Sequence, residues 1–228
     1  MCFRVEQEGE DIGALVRAIE NLFGDMVLQE GLRTSPNIAL TDQAIVVVRH
    51  KDLNLRNMTF GLVPSWKEKA NSALGNAKGE TIDQLPSFKE QFATQRCLIP
   101  VTGFYEWRMD PGEKRKTPYK VMTDDEVFCL AGLWDHWPPK QLVSFAIITT
   151  EPNELIAQLH NRMPVVLKRE HYQDWLDPEN HDVAALKTML KPYPAEHMAY
   201  QAYDRHVSGP GNKEKGLIFP VGDPIRLS

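Results

Sequence analysis

Residues 97–107 have the sequence CLIPVTGFYEW, and the fold predicted for this 228-residue chain is based first on them. Their β-branched, apolar and aromatic side chains predict a strand. Turn-like or charged stretches separate this strand from similar ones, and Asp110-Pro111-Gly112 predicts a hairpin tip between two of them. The other predicted strands lie at 44–48, 58–63, 118–122, 127–134, 143–149 and 198–203.

Helices are predicted around these strands. Residues 11–23 place apolar side chains on one helical face, namely Ile12, Leu15, Val16, Ile19, Leu22 and Phe23. Shorter helices are predicted at 88–93, 153–160, 171–176 and 183–190, and residues 67–82 are expected to form a loop. This order predicts one α+β domain over residues 1–228, with a mainly antiparallel β-sheet curled into a barrel-like core and peripheral helices.

Composition and charge exclude several classes of protein. No apolar run approaches the ~20 residues that span a bilayer, so we expect no membrane partner. The first residues, MCFRVEQEGED, lack the cationic and apolar regions of a signal peptide, which predicts a cytoplasmic protein. The net charge is −5, whereas general nucleic-acid binders are basic. Nucleic-acid binding would therefore need a local basic groove on an acidic body.

The cysteine pattern and the missing motifs argue against a metal or nucleotide cofactor. The chain has three cysteines, Cys2, Cys97 and Cys129, without CxxC spacing. Cys97 and Cys129 lie in apolar runs and are predicted to be inert core thiols. The sequence contains no HExxH, GxxxxGK[ST], GxGxxG or GxSxG motif. We therefore expect no metal and no cofactor.

Cys2 directly follows the initiator methionine. Removal of Met1 would expose an α-amine and a thiol on adjacent carbons. The amine of such a 1,2-aminothiol attacks an aldehyde to give a Schiff base, and the thiol then closes a thiazolidine ring. An α-amine has a pKa of about 7.7–8.0, so roughly a tenth of it is free base at neutral pH. Taken alone, a cysteine at this position is better explained by chance.

Three other segments carry candidate catalytic side chains. Glu106 lies between aromatic residues at a strand end, where an apolar environment would raise its pKa toward neutrality. His160 could transfer protons, and Arg162 could hold a phosphate or a carboxylate. Asn76 could orient a reacting group, and Lys78 could contact a phosphate. Each segment alone is also consistent with a structural role: an edge-strand Glu, a capping His, a solvated loop.

Together these segments resemble one family, the SOS response-associated peptidase (SRAP) family, which includes bacterial and vertebrate abasic-site shield proteins. The resemblance covers nearly the whole chain, with the motifs in the family's order. The matching sequences are Met1-Cys2-x-Arg4, Pro36-Asn37-Ile38-Ala39, Gly61-Leu62-Val63-Pro64-Ser65-Trp66, Asn76-Ala77-Lys78-x-Glu80-Thr81, Arg96-Cys97-Leu98-Ile99-Pro100, Gly103-Phe104-Tyr105-Glu106-Trp107 and His160-Asn161-Arg162-Met163-Pro164.

The resemblance implies the SRAP fold and abasic-site processing in the DNA damage (SOS) response. The enzyme would form a covalent thiazolidine crosslink between Cys2 and an abasic site in single-stranded DNA. Met1 would be removed by autocatalysis or by an aminopeptidase. In this scheme Glu106 shuttles protons and assists removal of Met1, His160 opens the abasic sugar and protonates the departing oxygen, and Asn76 positions the N-terminal residue.

The resemblance also implies a basic groove with an aromatic wedge that stacks on a base. The DNA-binding positions would be Arg4, Asn37, Trp66, Lys78 and Arg162. The expected partner is single-stranded DNA containing abasic sites, and the protein is expected to be a monomer that joins the nucleoid when it acts.

Three positions depart from the family pattern. Phe3 replaces the usual glycine, which we expect to narrow the pocket, and Lys78 replaces the usual arginine, which we expect to weaken or relax a phosphate contact. Gly211-Asn212 replaces a Val-Asn pair.

Other readings remain open at this point. The main alternative is a cysteine peptidase or amidase that uses Cys2 with His160 and Asn76 as a papain-like set. A catalytically inactive nucleic-acid binding module and an enzyme acting on a small aldehyde are the others.

Overall fold

The computed structural model describes residues 2–9, 11–69, 73–214 and 216–227. The strands in these ranges are β1 (Arg4–Gln7), β2 (Val27–Leu28), β3 (Ser35–Ala39), β4 (Gln43–Arg49), β5 (Leu53–Phe60), β6 (Asn76–Lys78), β7 (Arg96–Val101), β8 (Gly103–Arg108), β9 (Thr117–Thr123), β10 (Phe128–Trp137), β11 (Leu142–Thr150), β12 (Met163–Pro164) and β13 (Met198–Ala202). The α-helices are α1 (Ile12–Phe23), α2 (Lys89–Thr94), α3 (Tyr172–Leu176) and α4 (Val183–Thr188). Short 3₁₀ helices lie at Gly79–Thr81, Pro138–Lys140, Ile156–Gln158, Arg169–His171, Ala195–His197 and Arg205–Ser208.

Five strands close into a barrel. Antiparallel pairing runs from β11 through β10, β7 and β4 to β5, and β5 returns to β11 in parallel, with Thr59 opposite Ser144. β2, β6 and β12 extend the sheet beyond the closed ring. Closure removes the free edges that an open sheet would present. The predicted α+β fold with a barrel-like core is confirmed.

A second, antiparallel sheet lies beside the barrel, in the order β13-β9-β8-β1-β3. β1 is a central strand of this sheet, because Val5 faces Phe104 of β8 on one side and Ile38 of β3 on the other. The start of the chain is therefore held between two strands, and the residues just before β1 lie beside the middle of the sheet.

The barrel strands are apolar on both faces because both faces are covered. In β4, Val46 and Val48 belong to a core cluster shared with the second sheet, whereas Ile45 and Val47 belong to a cluster shared with the helices. Alternate residues point to opposite faces of a strand, so one continuous apolar run serves both cores.

Helix α1 follows its sequence prediction. Asp11 caps it by accepting a hydrogen bond from the Ala14 N–H at 2.7 Å, which satisfies one of the orphan donors of the first turn. Leu15, Ile19 and Phe23 are buried against the barrel cluster. Burial of this face, rather than helix propensity alone, stabilises a helix of this length.

Several local predictions were wrong. The predicted strand 97–107 is two strands, β7 in the barrel and β8 in the second sheet, and the chain changes sheet at Thr102. Both strands are buried, so the apolar pattern does not show the break. The predicted loop 67–82 contains β6, and the predicted helix 153–160 contains only the 3₁₀ turn Ile156–Gln158. Strands β1 and β3 were not predicted.

Arg96 fastens the helical side of the molecule to the barrel. Its guanidinium donates to the backbone oxygens of Phe92 at 2.8 Å, Ala93 at 2.6 Å, Trp175 at 2.8 Å and Asn180 at 3.0 Å, and also to that of Asp177. Burial lowers the pKa of Arg96 to about 10, so the group remains charged at neutral pH. One cation therefore ties α2 and the end of α3 to the start of β7.

Cys97 and Cys129 are buried free thiols, which confirms their prediction as core residues. No helix within the described ranges has the length and apolar character needed to cross a membrane. In the same ranges, no group of three or more His, Cys, Asp or Glu side chains is arranged to hold a metal ion.

Candidate active site

The end of β11 brings together two motifs that are more than 80 residues apart in sequence. Thr149 faces Lys78 of β6 on one side and Pro164 of β12 on the other. The Asn76-Ala77-Lys78 and His160-to-Pro164 segments therefore flank one strand end. The second sheet supplies Glu106 from β8, and Cys2 lies two residues before the start of β1.

Cys2 lies at the base of this site. It is fully buried, and its Sγ donates weakly to the backbone oxygen of Arg4 at 3.8 Å. The Asn76 Nδ2 donates to the backbone oxygen of Cys2 at 3.0 Å, which places the main chain of the N-terminal residue. The other amide atom, Oδ1 of Asn76, is buried and accepts no hydrogen bond from the described residues.

The Cys2 thiol is protonated at neutral pH. Burial raises its pKa well above the ordinary value for cysteine, and the nearby Glu106 carboxylate raises it further. A thiol in this environment differs from the thiolates of cysteine proteases, whose pKa is lowered by a cationic partner.

Burial shifts the pKa values of both Glu106 and His160: it raises that of Glu106 and lowers that of His160. Glu106 is 4 % exposed, and burial raises its pKa to about 7. Burial lowers the pKa of His160 below its ordinary value. The Arg162 backbone N–H donates to Nδ1 of His160 at 3.0 Å, so Nδ1 is unprotonated and the neutral ring carries its proton on Nε2.

Arg162 is held in one orientation. Its Nη1 and Nη2 donate to Oε1 and Oε2 of Glu80 at 2.6 and 2.9 Å, and Nη2 also donates to the Thr149 carbonyl oxygen at 2.7 Å. The hydrogen bond from Arg162 lowers the pKa of Glu80. The bidentate pair leaves the guanidinium pre-oriented at the wall of the site.

These groups surround an open cavity of about 570 Å³. It is large enough for a small-molecule or nucleotide ligand. Two aromatic rings, three cations and the proton-transfer candidates line it: Phe3, Lys78, Glu106, Trp107, Lys116, His160, Asn161 and Arg162. Of the four predicted catalytic residues, Glu106 and His160 line this site cavity. Cys2 and Asn76 contact each other and directly precede or lie close in sequence to the lining residues Phe3 and Lys78.

Phe3 fits because residue 75 is glycine. A Cβ at Gly75 would lie 2.9 Å from Cε1 of Phe3 and 2.7 Å from Cδ2 of Leu40, far inside van der Waals contact. The ring therefore packs over a bare stretch of backbone and still forms part of the cavity wall.

Two predicted DNA-binding residues have internal contacts. Asn37 is fully buried, and its Nδ2 donates to the backbone oxygens of Gly209 at 3.0 Å and Asn212 at 2.8 Å. Arg4 donates from Nη1 to Oδ1 of Asn37 and to the Val207 carbonyl oxygen, both at 2.7 Å. These bonds hold the C-terminal loop against β1 and β3. Arg4 also lies over the Trp107 ring, 5.5 Å from its centroid.

Trp66 lies apart from the site cavity. It is 57 % exposed and is not among the described residues that line the cavity. Its loop is fixed from below, because Ser65 donates its N–H to Asp135 at 2.7 Å and Trp137 donates to the Lys67 carbonyl oxygen at 2.6 Å. The Trp66 indole is therefore exposed to solvent on a loop that hydrogen bonds hold in place.

Sequence reasoning missed Lys116, Trp107 and Asn161 as lining residues. Trp107 and Asn161 stood inside quoted motifs without an assigned role. Lys116 belongs to the run Lys114-Arg115-Lys116 after the hairpin tip, and this local cluster of charge was the signal that could have found it.

The fold and the site define a class of protein: a closed barrel with a second sheet that holds a near-N-terminal cysteine beneath a cation-lined cavity. The chain belongs to the SOS response associated peptidase (SRAP) family, whose model matches residues 1–210. It is 35% identical over 229 aligned residues to the abasic site processing protein YoqW from Bacillus subtilis (strain 168), covering 96% of this chain and 99% of that protein.

More distant relatives and solved structures agree with this assignment. The abasic site processing protein HMCES from Pongo abelii is 28% identical, with 74% of this chain aligned to 57% of that protein. A crystal structure of a protein from Bacteroides thetaiotaomicron superposes with a TM-score of 0.76 at 25% identity, covering 92% of this chain and 96% of that one. A phage-related protein from Bordetella bronchiseptica gives 0.69 at 27% identity, covering 88% and 93%.

Proposed function

We propose that this protein processes abasic sites in single-stranded DNA by linking Cys2 covalently to the aldehyde of the abasic sugar. The observation that carries the proposal is the placement of Cys2: its carbonyl is held by Asn76, and its thiol lies in the field of Glu106, which lines the site cavity. The names of the relatives, abasic site processing proteins, support the same substrate.

The bond changes need no cofactor. The neutral α-amine of Cys2 adds to the aldehyde carbon, and loss of one water gives a Schiff base. The Cys2 sulfur then adds to the imine carbon while the thiol proton moves to the imine nitrogen, which closes a thiazolidine ring. Glu106, with a pKa of about 7, can both accept and return protons near neutral pH.

His160 has the tautomer needed to help the sugar open. Because Nδ1 accepts the Arg162 N–H, Nε2 is the atom of the neutral ring that carries the proton. In the closed sugar, a donor at the ring oxygen favours the open aldehyde. The unpartnered Oδ1 of Asn76 supplies an acceptor for the amine of Cys2.

The protonation state of the Cys2 thiol indicates which group of Cys2, the α-amine or the sulfur, attacks the abasic sugar first. A thiol with a raised pKa is a poor first nucleophile, whereas an α-amine is partly free base at neutral pH. The amine therefore attacks first, and the thiol follows once the imine is present.

The same observations weigh against the papain-like alternative. A papain-like set needs an imidazole that lowers the thiol pKa and an amide that orients the imidazole. Here the Asn76 Nδ2 contacts the Cys2 carbonyl oxygen, and Nδ1 of His160 accepts a backbone N–H. We therefore favour the crosslinking reaction over general peptidase activity.

The wall of the site cavity suits a nucleotide strand. Lys78, Lys116 and Arg162 supply positive charge for phosphates, and Phe3 and Trp107 supply faces for stacking. The reaction requires a free α-amine on Cys2 and hence removal of Met1, which lies outside the described residues. We propose that the whole chain acts as one SRAP domain and as a monomer.

Intact-mass spectrometry of untagged protein tests the proposal. We expect loss of Met1, followed by a covalent adduct with an abasic single-stranded oligonucleotide. The adduct should be absent with an oligonucleotide carrying a reduced, aldehyde-free abasic residue. Cys2→Ser keeps the amine, so it should form only an imine that borohydride traps. A trimmed chain that gives no adduct would contradict the proposal, and adduct formation by Cys2→Ser without borohydride would contradict the thiazolidine.

A further inference from the structure

We propose that the bound DNA strand runs on from the site cavity, across the β8–β9 connection, into a second cavity beside Tyr203, where Arg115 and Arg205 hold its backbone. This inference rests on the proposed function and extends the site to residues outside the motifs of the sequence.

Three cavities adjoin one another along this path. The site cavity shares Trp107 and Lys116 with a cavity of about 410 Å³ that we call the bridge cavity. The bridge cavity shares Arg115 and Arg205 with a third, of about 670 Å³, that we call the distal cavity. The shared wall residues place the three cavities next to one another, in the order in which a chain-like ligand would meet them.

The path concentrates positive charge on an acidic protein. Among the described residues that line the three cavities, six are Lys or Arg, whereas the carboxylates are Glu106 and Asp204. Two of these cations, Arg162 and Arg205, also pair with Glu80 and Glu113, so six cations stand against four carboxylates along the path. The chain as a whole carries −5. Such a local excess of cations is the electrostatic footprint of a polyanion site. The six cations are Arg4, Lys78, Arg115, Lys116, Arg162 and Arg205.

The β8–β9 connection is built to hold its charges in place. Arg108 and Asp110 form an ion pair at 2.7 Å at its base, and the Tyr119 hydroxyl donates to Asp110 at 2.9 Å. Farther out, Glu113 pairs with Arg205 at 2.6 Å, which joins the connection to the 3₁₀ helix Arg205–Ser208. Arg115 and Lys116 project from the exposed part of this braced connection.

The distal cavity contains an aromatic ring in a fixed orientation. Tyr203 packs edge-on against Tyr105, with centroids 5.7 Å apart and planes at 75°. Tyr105 is itself fixed, because its hydroxyl donates to the buried Glu6 at 2.5 Å. The Nζ of Lys120 lies over one face of the Tyr203 ring, 5.7 Å from its centroid. The opposite face is the one that can serve as a stacking platform for a nucleobase. Trp107 at the near end and Tyr203 at the far end thus give the path two such platforms.

A polynucleotide fits this path better than a smaller anion. A single phosphate would use one cavity, whereas the alternation of aromatic rings and cations over three adjoining cavities matches bases and phosphates along a strand. Because every nucleobase has a π-face, this recognition would not depend on sequence.

Binding of an intact fluorescent oligonucleotide, which needs no Cys2 chemistry, tests the path independently of the crosslinking reaction. Arg115→Ala/Arg205→Ala should bind about tenfold more weakly at low salt, and the slope of log affinity against log salt should fall by about one unit. Lys51→Ala, which removes an exposed cation from the β4–β5 turn outside these cavities, is the matched control and should leave both unchanged. Tyr203→Leu should weaken binding without changing the slope.

Oligonucleotides trimmed from either end locate the path. The loss of affinity in the double variant should disappear when one particular flank of the abasic position is shortened, and should persist when the other is shortened. Unchanged affinity, an effect equal to that of Lys51→Ala, or a loss that persists with both flanks removed would overturn the inference.

Discussion

The backbone N–H of Arg162 donates to Nδ1 of His160 at 3.0 Å, which assigns the proton of the neutral imidazole to Nε2. One residue of the motif thus sets the tautomer of another two positions away. The arrangement gives the neutral His160 ring a defined donor atom, Nε2.

Replacement of His160 should slow adduct formation and leave DNA binding intact. We expect His160→Ala to lower the single-turnover rate by about 10²–10⁴-fold, since it removes the proton donor. His160→Gln retains an N–H donor without a titrating group and should fall between the two. Quenched gel assays give the rates, and binding of an intact oligonucleotide is the control. A wild-type rate in His160→Ala would assign sugar opening to another group.

The pH dependence of adduct formation should reflect Glu106. In the wild type the rate should rise through about pH 7, where burial places the pKa of Glu106, and continue to rise as the α-amine deprotonates. Glu106→Gln should form the adduct more slowly at every pH. Its rate should rise with pH only where the α-amine loses its proton. Rates measured between about pH 5 and about pH 9, a range that includes the pKa values of Glu106 and of the α-amine, distinguish the two profiles. Identical profiles would show that Glu106 does not titrate in the reaction.

The same carboxyl group should make stability depend on pH. The pKa of Glu106 is raised from 4.5 to about 7, so the folded state holds a proton that the unfolded state has lost between these values. Stability should therefore fall as pH rises through this window. Glu106→Gln should gain roughly 3 kcal/mol relative to the wild type at about pH 8 and less than about 0.5 kcal/mol at about pH 4.5. Urea unfolding at the two pH values measures the difference, and an equal gain at both would contradict the pKa assignment.

Phe3 and Gly75 should be energetically coupled. Gly75→Ala should destabilise the protein by about 1–3 kcal/mol because its Cβ meets the Phe3 ring and Leu40. In a Phe3→Gly background the clash with the ring is gone, so the cost should be smaller. A double-mutant cycle by thermal or urea unfolding gives the coupling energy. Additive effects would mean that the ring moves away without cost.

Arg96 should be required for stability and not for chemistry. Arg96→Met leaves several backbone oxygens without their donor, and we expect a loss of at least about 3 kcal/mol. Arg96→Lys should also be destabilising, because an ammonium cannot reach carbonyls on so many sides. The fraction of molecules that remains folded at low temperature should crosslink at the wild-type rate. A small loss of stability would show that α2 and α3 are held chiefly by their apolar faces.

The barrel and helix α1 were predictable because their signals are local. The short β-branched and apolar runs of the barrel strands and the apolar face of α1 are each contained within a few consecutive positions. The sheet change at Thr102 was not predictable, since β7 and β8 are both buried and read as one apolar run. Strand β1 contains charged residues with partners in other parts of the chain, such as Glu6, which forms an ion pair with Lys120 of β9, so its sequence lacks the apolar pattern of a strand.

The chemistry of the site was predictable as a set of residue types, and its geometry was not. Cys2, Asn76, Glu106 and His160 carry groups whose reactions are known from their side chains alone. Their proximity depends on parallel pairing of β6 with β11, a contact between distant segments that no local pattern encodes. For the same reason the sequence did not reveal that Asn37 faces inward, where it holds the C-terminal loop.

The bond from Arg4 to the Val207 carbonyl oxygen spans 203 positions of the chain. Ribosomes add residues from the N-terminus onward, so Arg4 waits for nearly the whole polypeptide to be made before this partner exists. The first strand of the second sheet must likewise wait for Phe104 of β8. During translation β1 can therefore pair with β8 before the bond from Arg4 to Val207 exists, and the contact of the C-terminal segment with Arg4 is among the last to form.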